Sequence, residues 1–181
     1  MPTDRQWLDT LTNRPIGPDL DLTKFKCNPN IDWWLTHVGV TMHEKRLSFV
    51  TCWLSGGDLA GYVATAASHI ELIPDQRTEL DVQQQILEKG TLLKLFASIK
   101  IGMLGTCNQY KRRGLGKEMV LYAIGQALKL SETVGCRFVE VDSDKTDEAV
   151  GLYTSSGFKE VQQKKPERDT VWMYYDLKPR A

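Results

Sequence analysis

Met103-Leu-Gly-Thr-Cys-Asn-Gln-Tyr-Lys-Arg-Arg-Gly-Leu-Gly-Lys117 runs from an apolar strand through a basic, glycine-bearing turn into the start of a long helix. Its chemistry is that of anion binding. Gly114 and Gly116 allow a ligand to approach the backbone closely, and the free N–H groups of the first helical turn point along the positive end of the helix dipole. Each such contact is worth only about 0.3–1 kcal/mol, so several amides must converge with Lys111, Arg112, Arg113 or Lys117. A diphosphate meets that description. Two other phosphate loops fail on the residues: a P-loop needs glycine where Lys111 stands and Ser or Thr where Glu118 stands. The dinucleotide fingerprint needs glycine where Met119 stands. On these residues alone a solvated basic helix cap remains the alternative.

Periodicity places the turn in a mixed chain. Leu115, Met119, Tyr122, Ala123, Ala127 and Leu130 recur at helical spacing, predicting a helix over Leu115 to Leu130 that is ended near Gly135. Ser98 to Leu104 reads as the preceding strand and Arg137 to Asp142 as the following one. Thr146 to Ser155 reads as a helix, and Phe158 to Val161 with Val171 to Leu177 as a last pair of strands. Upstream, Asn28-Pro-Asn30 signals the start of a helix over Asn30 to Met42 that turns Ile31, Trp34, Leu35 and Val38 to one face. Of the adjacent Trp33 and Trp34, one should face the core and its neighbour outward, the alternative being that both are buried, one against a loop. Leu47 to Leu54 and Leu59 to Ala66 around Ser55-Gly-Gly-Asp58 predict a hairpin. Ile73 to Lys94 reads as a loop with a weak helix at Val82, Ile86 and Leu87, and Met1 to Pro18 as a leader with a helical turn near Trp7. The expected class is α/β (α+β) with a mixed strand order, as one domain over residues 1–181.

Lys111-Arg-Arg-Gly-Leu-Gly116 resembles the Arg/Gln-x-x-Gly-x-Gly/Ala motif of the GNAT acetyltransferases. Ala149-Val-Gly-Leu-Tyr-Thr-Ser-Ser-Gly-Phe158 is similar to their later A-x-x-x-Y-x-x-x-G-F motif, and the two stand in the family's order and spacing. A narrower resemblance, to the GNAT toxins of type II toxin–antitoxin modules, lies in Leu22-Thr-Lys-Phe-Lys-Cys27, Asp32-Trp-Trp-Leu35, Phe49-Val-Thr-Cys52 and Gly61-Tyr-Val-Ala-Thr-Ala66. The sequence departs from the family pattern at Lys111, in place of Arg or Gln, and at Thr146, where many relatives carry Asn.

The resemblance implies a GNAT fold: a twisted, mostly antiparallel mixed sheet flanked by helices, with a splayed strand pair holding acetyl-CoA. It implies direct attack of a primary amine on the thioester, without an enzyme nucleophile. The backbone of Met103, Leu104, Gly105 and Thr106 would pair with pantetheine, and Lys111, Arg112, Arg113, Gly114, Leu115, Gly116 and Lys117 would hold the diphosphate. Tyr153 would be catalytic, protonating the departing thiolate; the alternative is a core aromatic. The toxin likeness implies an aminoacyl-tRNA acceptor, an antitoxin partner and a homodimer. A small amine, an antibiotic, a peptide N-terminus, or a non-catalytic acetyl-CoA-binding module stay open.

Composition bounds these readings. The chain has 181 residues, 23 Lys plus Arg against 23 Asp plus Glu, and 41% hydrophobic residues, which describes an ordinary globular domain. Zero net charge gives no general attraction to a polyanion, so tRNA binding needs a local patch, for which Lys159, Lys164, Lys165 and Arg168 are candidates. Cys27, Cys52, Cys107 and Cys136 form no C-x-x-C pair, and His37, His43 and His69 do not cluster, so no metal is expected. With no apolar segment of about 20 residues, no membrane span is expected, and a cytoplasmic location follows. Glu140 and Asp142 are candidates for a general base, or a solvated strand end.

Overall fold

Gly56 and Gly57 adopt φ of +59° and +95°. Those left-handed values are what a two-residue turn between right-twisted strands demands. The turn joins β2 (Phe49–Ser55) to β3 (Asp58–Glu71), which pair antiparallel with Ser55 opposite Asp58 and a register shift between Trp53 and Leu54. The computed structural model describes residues 4–80, 82, 86–87, 91–92, 95–162 and 169–178. Its other strands are β1 (Thr12–Pro15), β4 (Ile86–Leu87), β5 (Thr91–Leu92), β6 (Leu95–Thr106), β7 (Phe138–Asp144), β8 (Lys159–Glu160) and β9 (Thr170–Asp176). Hydrogen-bonded neighbours run β1-β2-β3-β6-β7-β9-β8, a mixed seven-stranded sheet flanked by helices, and β4 with β5 forms a separate ribbon.

The chain forms two compact units, Met1–Ala66 with Ile101–Gly125 and Ala67–Lys100 with Gln126–Ala181. In the first, β1 lies antiparallel to β2, with Thr12 opposite Leu54. The sequence predicted no strand there. Thr12-Asn-Arg-Pro15 is polar and mostly exposed, so it shows no alternation, and its proline is tolerated because it sits on an edge. α1 (Asp4–Leu8) precedes it, at the helical turn read near Trp7. α2 (Pro29–Trp34) runs through a π turn at Leu35–Gly39 into α3 (Val40–Glu44). The predicted start is realised in detail: the Asn28 side chain accepts from the Ile31 N–H (3.0 Å) and Pro29 takes the first helical position. Trp34 stacks on Tyr62 at 6.0 Å, whereas Trp33, 58% exposed, stacks on His37 at the surface. Phe25, Leu35, Val50, Cys52, Leu59 and Tyr62 make the core.

The second unit packs Ile70, Leu72, Leu80, Phe96, Phe138, Val161 and Tyr174 together. Phe138 meets Phe96 and Tyr174 edge-on at 6.0 and 5.9 Å. β7 and β9 pair antiparallel from Phe138 opposite Asp176 to Asp144 opposite Thr170. The weak helix is displaced from its predicted place: α4 is Pro74–Glu79, while Ile86 and Leu87 are in a strand. Pro74 stands in the first turn of α4, where its missing N–H costs nothing. α5 (Leu115–Ser131) follows β6, and α6 (Asp147–Ser155) follows β7. Among the described residues no helix is long and apolar enough to cross a membrane.

Candidate functional site

The turn after β6 is stitched down by the backbone. The Cys107 N–H donates to Ala60 O (2.8 Å), carrying the sheet one residue past the strand, and the Asn108 N–H donates to Lys26 O (2.6 Å). Tyr110 N–H to Cys107 O (2.8 Å) closes a 3₁₀ turn over Asn108–Tyr110. The chain then swings through Arg112 at φ +59° and Gly114 at φ +86°. Glycine adopts such a φ without steric cost. Arg112 does not, because a left-handed non-glycine residue costs roughly 1–2 kcal/mol, and nothing in an arginine signals it.

Along α5, the Glu118 N–H reaches Gly114 O (3.2 Å). The N–H groups of Leu115, Gly116 and Lys117, which precede it, have no intrahelical acceptor and lie at the positive end of a 17-residue helix. Lys111, Arg112 and Lys117 are exposed and carry no salt bridge among the described residues. Arg113 is different. Its Nε lies 3.4 Å from Asp4 Oδ1 and its guanidinium sits 4.0 Å from the centre of the Trp7 ring. Three of the four expected cations are therefore open to an anion and the fourth is engaged by the N-terminal helix.

The strand leading into the turn has no spare room on one side. A Cβ on Gly105 would lie 2.6 Å from Ile31 Cγ2, 3.1 Å from Tyr62 Cε1 and 3.2 Å from Phe25 Cζ. Gly61 on β3 is equally confined, 3.0 Å from Leu115 Cδ2 and 3.1 Å from Met119 Cε. Met103, Leu104 and Thr106 are half-buried. The part of β6 in this unit, from Ile101 on, follows β1, β2 and β3 in the strand order. The Tyr62 hydroxyl donates to Ile31 O (3.0 Å), and burial pushes its phenol well above the ordinary range.

Among the other reactive groups, burial pushes the Cys52 thiol up to about 12 and raises Cys27 and Cys136 as well. These three are thiols, not thiolates, at neutral pH. His43 Nδ1 accepts from the Val50 N–H (3.1 Å), a structural role.

In the second unit, Tyr153 stands on α6, 6% exposed, with its ring edge-on to Phe158 at 5.4 Å. Among the described residues its hydroxyl has no hydrogen-bond partner. Burial chiefly, and Asp144 second, raise its pKa above the ordinary phenol value. Thr146 caps the same helix, its Oγ1 accepting from the Ala149 N–H (3.2 Å). Threonine and asparagine both serve as N-caps, so this departure from the family pattern preserves the local function. The two base candidates are engaged. Glu140, 2% exposed, accepts from Ser98 Oγ (2.8 Å) and from Trp172 Nε1 (2.5 Å), one donor on each carboxylate oxygen. Asp142 pairs with Lys100 Nζ at 2.5 Å. Of the suggested basic patch, Lys159 pairs with Glu79 at 2.9 Å, and Lys164, Lys165 and Arg168 lie outside the described residues.

The Acetyltransferase (GNAT) family model matches residues 7–158, spanning both the glycine-bearing turn and the Tyr153 helix. The chain belongs to that family. It is accordingly an acetyl-CoA-dependent N-acetyltransferase. Its fold is similar to that of a point mutant of the toxin AtaT bound to the C-terminus of the antitoxin AtaR, with TM-score 0.73 and 19% identity over 94% of this chain and 95% of that one. AtaT complexed with acetyl-methionyl-tRNAfMet matches with TM-score 0.73 and 19% identity, over 90% of this chain and 93% of that one. A point mutant of KacT matches with TM-score 0.77 and 18% identity, over 93% and 96%. No curated protein matches in sequence.

Proposed function

We propose that the GNAT chemistry of this chain is directed to the α-amine of an aminoacyl-tRNA, making it the toxin of a toxin–antitoxin pair. The observation that carries this reading is the engagement of both base candidates, Glu140 and Asp142. Glu140 is buried between two donors and Asp142 is ion-paired, so neither stands ready as a base. An α-amine with a pKa of about 7.7–8.0 is neutral in roughly one molecule in ten at pH 7, whereas a lysine side chain at about 10.4 is neutral in fewer than about one in a thousand. An acceptor that needs little base fits these residues. The solved complex of AtaT with acetyl-methionyl-tRNAfMet, in the same fold over nearly the whole chain, supports the same choice.

In this reading the backbone of Met103 to Thr106 pairs with pantetheine, and the amides of Arg112 to Lys117, with the Lys111, Arg112 and Lys117 cations around them, hold the diphosphate. The amine nitrogen forms a bond to the thioester carbon, the carbon–sulfur bond breaks, and the amine's proton leaves to water. Tyr153 donates its hydroxyl hydrogen to the departing sulfur. An antitoxin, a homodimer and a cytoplasmic location belong to the same proposal; the antitoxin is supported by AtaT and its partner AtaR. A second reading, acetylation of a small amine, antibiotic or peptide N-terminus, is favoured by the net charge of zero. In a cell-free translation extract the enzyme should arrest protein synthesis only when acetyl-CoA is also present. Uninterrupted synthesis with both present would overturn the aminoacyl-tRNA reading.

A further inference from the structure

The N-terminal helix touches the glycine-bearing turn at several points. Trp7, 6% exposed, stacks on Tyr110 (5.3 Å between centroids, 15° between planes) and donates from Nε1 to Ser55 Oγ (3.3 Å). The Arg113 guanidinium lies 4.0 Å from its ring centre. Leu8 Cδ1 is 3.4 Å from where a Cβ on Gly114 would stand. Arg5 Nη1 reaches Glu118 Oε1 (3.1 Å) in the first turn of α5, and Asp4 faces Arg113. The ion pairs are exposed and weak. The buried tryptophan is the anchor. Between Tyr110 and Gly114 the chain carries the left-handed Arg112, a conformation that persists only where the surroundings over-determine it.

We propose that Trp7 is a positioning residue for acetyl-CoA, holding the turn so that its amides converge on the diphosphate, and that Arg113 serves this buttress instead of binding the ligand. The inference rests on the reading of Arg112 to Lys117 as the diphosphate turn. Preorganised amides bind without first being ordered, so freeing the turn weakens the part of the affinity that comes from the diphosphate and leaves the pantetheine part alone. A general loss of folding would instead weaken both.

The test is the ratio of two dissociation constants measured on the full chain: for acetyl-CoA, and for S-acetyl-pantetheine, which keeps the thioester but lacks the diphosphate. Wild-type protein should prefer acetyl-CoA strongly. Trp7→Ala should lose about tenfold of that preference, equal to ~1.4 kcal/mol, with S-acetyl-pantetheine affinity unchanged. Trp7→Phe, which keeps a ring against Tyr110, should restore most of it. Should Trp7→Ala fail to fold, Tyr110→Leu removes the stack from the other side and should lower the ratio likewise. An unchanged ratio in a folded Trp7→Ala or Tyr110→Leu protein overturns the buttress. A wild-type ratio near one overturns the diphosphate turn itself, and the buttress with it.

Discussion

Replacing Tyr153 by phenylalanine removes one oxygen and little else. The ring's edge-on packing against Phe158 at 5.4 Å survives, and no hydrogen bond to a described residue is broken, so stability should change by less than about 1 kcal/mol. The catalytic loss is larger. A hydrogen bond to a group developing charge is worth about 1.5–3 kcal/mol, which lowers kcat by roughly 10–150-fold. The pH profile adds a second test. Burial raises the Tyr153 pKa above its ordinary value of 10.0, so the protonated, donating form persists to higher pH than in a free phenol. Turnover in the wild type should therefore not fall below pH 10 on this account. The rising limb belongs to the acceptor: kcat/KM should climb to about pH 8, where an α-amine loses its proton, and then level off. Tyr153→Phe should lower the whole profile without moving that limb. Unchanged turnover at every pH, with the variant folded, would refute the donor role, and a wild-type decline near pH 9 that the variant lacks would refute the raised pKa.

The remaining expectations follow from the turn and the core. Gly105→Val crowds Ile31, Tyr62 and Phe25, and should lower the stability measured by urea unfolding by about 1–3 kcal/mol; an unchanged midpoint would mean the strand has slack. Arg112→Gly relieves the left-handed strain, so stability should hold or rise by roughly 1 kcal/mol. The amides carry most of the grip on the diphosphate and the Arg112 cation only assists, so acetyl-CoA affinity in that variant should stay within about threefold. A loss beyond tenfold would make the guanidinium the principal contact. Cys52, fully buried and pushed up to about 12, is thiolate in only about one molecule in ten thousand at pH 8 and should resist iodoacetamide until the protein unfolds. Rapid labelling of the native protein at Cys52 would contradict its burial.

What could be read from the chain was local. Asn28-Pro29 announced the cap of α2 and Gly56-Gly57 announced the hairpin turn, because each acts through its own backbone or its nearest neighbours. Trp33 and Trp34 separated into exposed and packed rings as helical geometry requires. β1 was illegible because an exposed edge strand needs no alternation. Arg112 was illegible because its conformation is imposed by its surroundings. The site's electrostatics were hidden for a different reason. Glu140 is occupied by Ser98 and Trp172, 42 and 32 residues away, and Arg113 is drawn off by Asp4, 109 residues away. Partners at such separations are chosen by the fold, and no spacing rule reaches them.

The central claim concerns the acceptor, and the most direct measurement follows the acetyl group. Labelled acetyl-CoA is incubated with the enzyme, a pool of charged tRNAs and a panel of small amines, and the tRNA is then digested with nuclease to release the aminoacyl-adenosine. Label on the α-amine of an aminoacyl-adenosine, reduced by Tyr153→Phe, is the predicted result. Label confined to the small amines would contradict the toxin reading while leaving the acetyltransferase intact.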